Sequence, residues 1–566
     1  MSRIRSNNMS KTLSKKNSIL NRLLLWMANN KRITLIIILG GITNLGVIFF
    51  NGSEYCVKQV CGMYIGGLHF HDSLWHLALA NSAFQSFPFQ LPIFAGVPLQ
   101  GYNYFLDFII FLLTKIGISA IVSYFKLIPV LFFILFSYLS YIYAKKTNKS
   151  PIFILCFLFF IYFGSSFSYI LSLYHSKTIW SYFYAQAMQS GRMLLNLQYA
   201  VSLIPFLGVL ILLKNKKLPL FQIFILCLLL FLTTGFKLYG GIILLFLIAV
   251  DFLIRLVLEK KCILWILNGI LIAFAFALSI LVFYDPFLAT KSGAAFVFSP
   301  FALTRPMIEA ADHFYMPQLV QARYYLQAIA PHSPRLFAIE LLSVGLFIFL
   351  NCGTRLVGLF YVVQALFRNK LNKDEVVLIA AIIFSTVLTV SLVQKGTWWN
   401  VVQFYGYTLF LMNYFAAAFV TKIFSSKKIP TIIFGIIIII LTLPTNIEQI
   451  RFAYERNISI TRMELNGLEK LRSVPTGVVL SLPLQDTAYI SAFSGKQQYV
   501  ADEGVLTIIG IDPRERISSL KNMKPIDISP RIKYIYINKK NYTTYTETRG
   551  FHPIFENAEV RIEERD

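Results

Sequence analysis

The sequence is poor in charged residues and has no internal repeat. Asp, Glu, Lys and Arg make up 14% of the residues, against 56% for apolar residues, whereas soluble domains contain about 25% charged residues. This composition excludes an ordinary water-soluble protein and predicts a chain whose main solvent is lipid. Many secondary transporters are built from inverted repeats, so the missing repeat argues mildly against that class.

Acidic residues are absent from two long segments. The first 32 residues contain no Asp or Glu, and none occurs between Asp107 and Asp251. Basic residues mark the cytoplasmic side of membrane helices, and the apolar run at 33–50 is not followed by a small-residue cleavage site. The pattern therefore predicts an uncleaved anchor preceded by a basic cytoplasmic segment at 1–32. The basic residues of that segment are Arg3, Arg5, Lys11, Lys15, Lys16, Arg22, Lys31 and Arg32.

Cysteine is also scarce, with six residues in the whole sequence. Four of them lie in or beside apolar runs, where a thiol packs as a small apolar group: Cys156, Cys227, Cys262 and Cys352. Cys56 and Cys61 share one loop. A disulfide between these two residues and a pair of free thiols are both open interpretations, because a disulfide requires that the loop is exoplasmic in an oxidising compartment. The short spacing is no metal signature on its own.

Apolar runs long enough to approach the thickness of a bilayer recur along the chain. When eleven of these runs are taken as crossings, every basic cluster between them falls on the same side of the membrane as the N-terminus. An odd number of crossings then places the C-terminus outside. The segment from Tyr104 to Ser123 is also apolar, but a crossing there would invert every later loop. We therefore interpret it as an interfacial or re-entrant helix. The predicted crossings are 33–50, 124–144, 151–170, 198–213, 219–236, 239–256, 263–284, 337–367, 376–394, 401–421 and 430–445.

This topology defines the predicted domains. Residues 33–445 form a transmembrane domain with exoplasmic loops at 51–123, 171–197 and 285–336. From Asn446 the composition becomes mixed, with short β-like runs at 478–482, 532–537 and 558–562 between Pro and Gly turns. We expect an α-helical polytopic protein of the cytoplasmic membrane, with about eleven transmembrane helices and a small exoplasmic α/β domain at 446–566.

The net charge of +25 does not predict nucleic-acid binding. Lys and Arg occur in short clusters between apolar runs instead of along one continuous face. We therefore read the basic residues as a topology signal, and we expect membrane lipid, not nucleic acid, as the partner.

The first exoplasmic loop contains the residue types of an acid/base or metal site. Apolar spacing predicts a surface helix from Asp72 to Phe87, with Asp72 near its N-terminus and His76 one turn later. The Asp72 carboxylate, with His71 or His76, would suit proton transfer, and Asp72 with His71 would suit a divalent metal. An alternative is that Asp72 is simply the N-cap of the helix. His69 completes a His-x-His-Asp-x-x-x-His pattern of low specificity.

The order of these features resembles the GT-C superfamily of membrane glycosyltransferases. An uncleaved first helix is followed by Asp72-Ser-Leu-Trp-His76, then by Pro92-Ile-Phe-Ala-Gly96-Val-Pro98, and then by an apolar juxtamembrane helix. Trp399-Asn400-x-x-Gln403 and the C-terminal text Gly495-Lys-Gln-Gln-Tyr-Val-Ala-Asp-Glu-Gly504 extend the likeness. The resemblance implies a GT-C-like fold, a polyprenyl-phosphate sugar donor, an envelope acceptor and Asp72 as catalytic base or ligand of a divalent cation such as Mg or Mn.

One departure from the family concerns the second outer loop, where many relatives carry another functional acid and this chain has none. His175 could replace that ligand, while basic residues could bind the donor phosphate. An equally open interpretation is an anchoring belt of Tyr, Trp, Lys and Arg at the membrane interface. The candidate substrate-binding residues are His175, Lys177, Arg192, Arg305, Arg323, Trp399 and Gln403.

Two further function classes remain open at the level of sequence. A lipid or polysaccharide transporter or flippase would carry polar residues along several crossings, but few ionisable residues lie within the predicted crossings. A non-catalytic envelope scaffold would explain the missing second acid. The glycosyltransferase is the preferred hypothesis.

Overall fold

The computed structural model describes residues 19–180, 187–259, 262–287, 296–394, 397–426, 428–454, 458–521, 529, 531–542 and 550–566. Within these residues, eight helices are long and apolar enough to cross a membrane. A pair of helices bent by 50°, Pro151–Phe163 and Ser168–Ser176, can form a ninth span, and Leu197–Leu213 and Leu220–Phe236 are shorter apolar helices. The eight are Lys31–Ile48, Ala120–Thr147, Leu238–Glu259, Ile263–Tyr284, Pro334–Phe367, Lys373–Ser391, Trp398–Ser425 and Ile429–Glu448.

All these helices lie on the apolar runs of the sequence, which confirms the helical multi-pass membrane protein. Large apolar side chains such as Leu253, Ile263 and Phe360 remain exposed on the bundle surface, where lipid is a favourable solvent for them. The number of eleven crossings stays a prediction.

The long segment Pro334–Phe367 is interrupted by a 3-10 turn at Gly353–Leu356. Gly353 has a positive φ of 55°, and a Cβ at this position would collide with the carbonyl oxygen of Ser165. The turn places the fully buried Arg355 among neutral acceptors: Arg355 donates hydrogen bonds to Asn413 and Gln189. This cluster holds the segment that begins at Ala187 against the bundle.

The first loop begins with a hairpin of strands Ser53–Val57 and Val60–Tyr64. A disulfide joins Cys56 and Cys61 across the hairpin, which confirms the first of the two interpretations left open above. Helix Gly67–Ser82, here called the first-loop helix, follows and continues into a short 3-10 turn at Ala83–Gln85.

Helix Phe105–Lys115 covers much of the apolar segment from Tyr104 to Ser123, which was not counted among the predicted crossings. Its 11 residues extend about 17 Å at roughly 1.5 Å per residue, well below the ~30 Å of a hydrocarbon core. Its length therefore fits an interfacial or re-entrant helix. It packs on the first-loop helix and against Phe236 and Phe283.

The other elements before the C-terminal region are short. An antiparallel pair of strands, Phe296–Phe298 and Leu392–Gln394, lies beside the start of the span Trp398–Ser425. The remaining helices are Ile19–Asn29, Ser190–Leu195, Pro306–Glu309 and Pro317–Ile329.

The C-terminal region forms the small α/β domain that the sequence predicts. Its four-stranded sheet has the order Val478–Leu482, Ile532–Asn538, Val560–Arg565, Phe551–Glu556, and only the first pair is parallel. Helix Pro444–Tyr454 overlaps the end of the last span and leads into the domain, whose helices are Arg462–Ser473, Tyr489–Ser494, Glu503–Ile508 and Arg514–Lys521.

The C-terminal domain is joined to the first loop by main-chain hydrogen bonds. The Ala95 N–H donates to the Gln498 carbonyl at 3.0 Å, and the Gln498 N–H donates to the Pro92 carbonyl at 2.7 Å. Strand Ile460–Thr461 pairs with strand Val60–Tyr64 of the first loop. The Arg516 guanidinium lies 3.6 Å from the centre of the Phe94 ring. The two regions therefore form one unit at one end of the helix bundle.

Candidate active site

A cavity of about 490 Å³ lies where the first loop, the C-terminal domain and the ends of several spanning helices meet. The first loop provides its acidic and histidine residues, and the helix ends provide tyrosines, amides and one lysine. The lining residues are His71, Asp72, Trp75, Gly101, Tyr102, Asn103, Met188, Leu195, Asn196, Tyr199, Lys237, Leu238, Tyr239, Tyr284, Phe296, Gln394, Trp399, Asn400, Val402, Gln403, Val505 and Ile508.

Asp72 lies in the second turn of the first-loop helix. That helix begins at Gly67, five residues earlier than the predicted start, with Gly66 in an extended conformation as its N-cap. The N-cap interpretation of Asp72 is therefore wrong, because the carboxylate is too far along the helix to reach the free N–H groups. The Asp72 side chain is 39% exposed and lines the cavity. It is therefore accessible to a substrate.

His76 forms a buried pair with Asp107 behind Asp72. The His76 Nδ1 lies 3.1 Å from both carboxylate oxygens of Asp107, on helix Phe105–Lys115. Gln198 Nε2 lies 2.6 Å from the same ring nitrogen, so Nδ1 either donates to Asp107 or accepts from Gln198, depending on the tautomer. The other nitrogen, Nε2, faces the Tyr102 hydroxyl at 3.5 Å and the Asp72 Oδ1 at 3.8 Å.

The charges of this pair are coupled. Burial by itself lowers the pKa of His76, but the neighbouring Asp107 carboxylate outweighs burial and raises that pKa above its usual value. Burial raises the pKa of Asp107, and the attraction of His76 offsets only part of this increase. The two groups therefore titrate as a unit that holds a proton directly behind Asp72.

His71 reaches in the opposite direction, to the C-terminal domain. Its Nε2 lies 3.0 Å from Oδ1 of Asp502, a residue that is almost fully buried and also accepts the N–H of Val505 at the start of helix Glu503–Ile508. The hydrogen bond to Asp502 raises the pKa of His71, and the charges of Asp72 and Asp486 add to the effect. His71 thus connects the cavity wall to the C-terminal domain.

His69, the third histidine of the pattern, is a packing residue. Its ring is buried against the edge of Phe125. Burial lowers the pKa of His69 to about 4, although Asp72 opposes the change. The imidazole is therefore neutral at physiological pH and contributes no charge to the site.

Lys237 is the cation that sequence reasoning did not select. It is a single residue between helices Leu220–Phe236 and Leu238–Glu259, it is 5% exposed, and it lines the cavity. Burial lowers its pKa to about 8, while the charges of Asp72 and Asp107 act to raise it. The ammonium group and the Asp72 carboxylate thus belong to one cavity and influence each other.

The other sequence-predicted residues divide into two groups. Trp399 and Gln403 line the cavity with His71 and Asp72. The remaining five do not line it, and each of them has a neighbouring group elsewhere in the protein. Arg305 pairs with Glu340 at 2.9 Å, Arg323 pairs with Glu309, and the ring of His175 is bonded to the His313 carbonyl at 2.6 Å.

The last two of these residues are Lys177 and Arg192. The Lys177 ammonium donates to the Tyr174 carbonyl at 3.0 Å. Arg192 is buried in the helix Ser190–Leu195, where Glu448 is its charged neighbour. The roles of all these residues in substrate binding stay predictions.

The described residues contain no ready-made cluster of metal ligands. Nowhere in the described part of the chain do three or more His, Cys, Asp or Glu side chains cluster closely enough to hold an ion. His71 is already bonded to Asp502, and Asp107 is bonded to His76. Metal binding by Asp72 and His71 stays a prediction.

Four residues of the site were missed or given no role by the sequence: Asp107, Gln198, Lys237 and Asp502. Asp107 and Asp502 lie 31 and 431 residues from their histidine partners, a pairing that no local pattern encodes. Lys237 did carry a signal, because it stands alone between two apolar runs on the side opposite the basic clusters.

No protein-family model matches the sequence, and no curated protein matches it. Solved structures do match. The archaeal oligosaccharyltransferase AglB from Archaeoglobus fulgidus, in complex with an inhibitory peptide and a dolichol-phosphate, aligns with a TM-score of 0.51 and 11% identity, over 91% of this chain and 70% of that chain. An Archaeoglobus fulgidus oligosaccharyltransferase tethered to an acceptor peptide by a disulfide aligns with a TM-score of 0.51 and 11% identity, over 90% and 69% of the two chains.

A third structure of that archaeal enzyme, a complex with Zn and sulfate, aligns with a TM-score of 0.48 and 12% identity, over 89% and 68% of the two chains. The two higher-scoring alignments span nearly the whole of the present chain. The protein has the fold of these archaeal oligosaccharyltransferase structures, which confirms at the level of fold the resemblance carried by the first loop.

Proposed function

We propose that the protein is a glycosyltransferase that moves a sugar or glycan from a polyprenyl-phosphate-linked donor to an envelope acceptor (a lipid, a glycan or a protein) on the outer face of the cytoplasmic membrane. The observation that carries the proposal is the partly exposed Asp72 carboxylate in the wall of a 490 Å³ cavity, directly in front of the buried His76–Asp107 pair. The fold supports it, since the archaeal oligosaccharyltransferase structures contain a dolichol-phosphate and an acceptor peptide.

Asp72 is the base in this proposal. It accepts the proton of the acceptor hydroxyl while the hydroxyl oxygen attacks the anomeric carbon of the donor sugar. The bond between that carbon and the donor phosphate oxygen breaks, and the phosphate leaves with the electron pair. Protonated His76, whose Nε2 lies 3.8 Å from Asp72, stabilises the carboxylate and orients it. The atoms balance without a further reactant, and no step involves a divalent cation.

The test measures transfer of radiolabelled sugar from polyprenyl-phosphate donors in membranes that contain wild type, Asp72→Asn or Glu54→Gln at matched protein levels. Glu54 is a carboxylate of the same loop, but it is exposed and pairs with Arg462 at the surface, so Glu54→Gln is the matched control. We expect Asp72→Asn to lower the rate about 10² to 10⁴-fold, the usual contribution of a positioned base. Glu54→Gln should leave it unchanged.

Each rival function gives a different result in the same experiment. Equal labelling by wild type and Asp72→Asn would remove Asp72 from the mechanism. Absence of labelling with every donor, together with correct insertion of the protein, would favour the transporter or the scaffold.

A further inference from the structure

Lys237 is buried without the partners that a buried cation normally has. Its ammonium group has one hydrogen bond, a long one of 3.5 Å to Asn196 Oδ1. Within the described ranges of the chain, no carboxylate lies within ion-pair distance of it. An ammonium offers three donors, so two of them point to no protein acceptor among these residues.

Two other buried cations among the described residues have more partners than Lys237. Arg255 is paired with Asp251 at 2.6 Å and also donates to three carbonyl groups. Lys496 donates to two carbonyl oxygens at 2.8 Å. Removal of a charge from water is costly unless partners replace the water. Lys237 is therefore arranged to receive an anion from outside the protein.

The cavity determines which anion fits. Lys237 shares the wall with the Asp72 carboxylate, and apolar side chains such as Leu195, Leu238 and Phe296 form another part of it. A ligand that contacts all of these groups is amphipathic, with a negative head near Lys237 and an apolar tail. An isoprenoid phosphate has this form.

We propose that Lys237 binds the phosphate group of the isoprenoid-linked donor, a role that the sequence analysis gave to basic residues of the later outer loops, among them Arg305 and Arg323. Both arginines already pair with glutamates, Glu340 and Glu309, and do not line the cavity. The proposal rests on the proposed function and names the residue that holds its leaving group. Lys237 stabilises the charge that develops on the phosphate as the bond to the sugar breaks.

The test is a binding measurement that needs no transfer. Full-length protein in detergent is titrated with radiolabelled farnesyl phosphate, and farnesol serves as the uncharged counterpart. The variants are Lys237→Met, Lys237→Arg and, as a control, Lys115→Met, which removes an exposed lysine at the end of helix Phe105–Lys115.

We expect Lys237→Met to raise the Kd for farnesyl phosphate about tenfold to a hundredfold, the effect of a lost charged hydrogen bond. Binding of farnesol should not change, and Lys237→Arg should keep most of the affinity. Equal Kd values for wild type and Lys237→Met would overturn the proposal. Displacement of farnesyl phosphate by inorganic phosphate at equal concentration would overturn the lipid-linked ligand in favour of free phosphate.

Thermal unfolding separates a binding role from a structural one. Methionine has nearly the length of lysine without its charge, so the ligand-free Lys237→Met variant should unfold at or above the wild-type midpoint. A lower midpoint would assign Lys237 to the structure and overturn the proposal. Phosphate binding through Lys237 without any sugar transfer would leave this inference standing and remove the glycosyltransferase function.

Discussion

His71 of the first loop and Asp502 of the C-terminal domain bond to each other at 3.0 Å across 431 residues of sequence. One side of this contact is exposed and the other is buried, since the His71 side chain is half-exposed and Asp502 is almost inaccessible. The contact therefore couples protonation of His71 to the attachment of the C-terminal domain.

The first prediction concerns the pH dependence of that attachment. The folded-state pKa of His71 is raised above its unfolded value of 6.5. Its contribution to stability is therefore fully present below pH 6.5 and is lost as the pH rises through the raised pKa. Wild type should lose more thermal stability between pH 6 and pH 9 than Asp502→Asn does.

Asparagine is suited to this comparison because it retains the helix cap on Val505 and tolerates the left-handed backbone of Asp502, whose φ is 50°. His552→Gln, which removes an exposed histidine paired with Asp566, is the control and should behave as wild type. An identical pH dependence in Asp502→Asn and wild type would contradict the coupling.

The second prediction concerns the buried pair behind Asp72. Asp107→Asn removes the carboxylate that raises the pKa of His76, so His76 should lose its proton at lower pH. If protonated His76 orients Asp72, the alkaline limb of the pH–rate profile of transfer will move to lower pH. The same change at the exposed Asp312 should leave the profile in place. A lower rate with an unshifted profile would indicate a purely structural role for Asp107.

The third prediction concerns Arg355, the fully buried cation of the interrupted span. Arg355→Met leaves the oxygens of Asn413 and Gln189 without their donor, and each buried orphan costs about 1–3 kcal/mol. The variant should unfold several degrees below wild type in detergent, whereas Arg368→Met, at an exposed position after helix Val357–Phe367, should not. An unchanged midpoint would show that the cluster adds little to stability.

The fourth prediction concerns the orientation in the membrane. Ser518 is exposed in the C-terminal domain, and Lys149 is exposed in a predicted cytoplasmic loop. A membrane-impermeant maleimide should label Ser518→Cys in intact cells, but should label Lys149→Cys only after the cells are permeabilised. The unsubstituted protein is the control for background labelling, because Cys227 is free and only partly buried, whereas Cys156 and Cys352 are buried and Cys56 and Cys61 form a disulfide. The opposite labelling pattern would invert the topology.

The fold could be predicted wherever a single local property decides the structure. Spanning helices follow from apolar length alone, and the strand Val478–Leu482 follows from a short β-branched run between turn residues. The start of the first-loop helix could not be placed, because its N-cap is Gly66, which offers no side-chain oxygen, while Asp72 offers a misleading one.

The site was predictable only in part, because the sequence reveals contacts between near neighbours but not contacts between distant elements. Asp72 and His76 lie one helical turn apart, so their proximity is local and visible in the sequence. The hydrogen-bond partners of His76, Asp107 and Gln198, lie on other helices and reach it only through tertiary packing. Lys237 was overlooked because a lone lysine between apolar runs also suits an ordinary interfacial anchor.

The pairing of the first loop with the end of the chain also determines when the cavity can form during biosynthesis. Ile65 and Ser459 bond to each other from positions 394 residues apart. At ribosomal rates of about 5–20 residues per second, the first loop waits roughly 20 to 80 seconds after its own synthesis before its partner strand exists. During that interval the edge of strand Val60–Tyr64 has no partner. A ribosome that stalls before Ser459 therefore produces an open strand edge instead of a partly formed site, and the cavity is completed only after Ile508 has been synthesised.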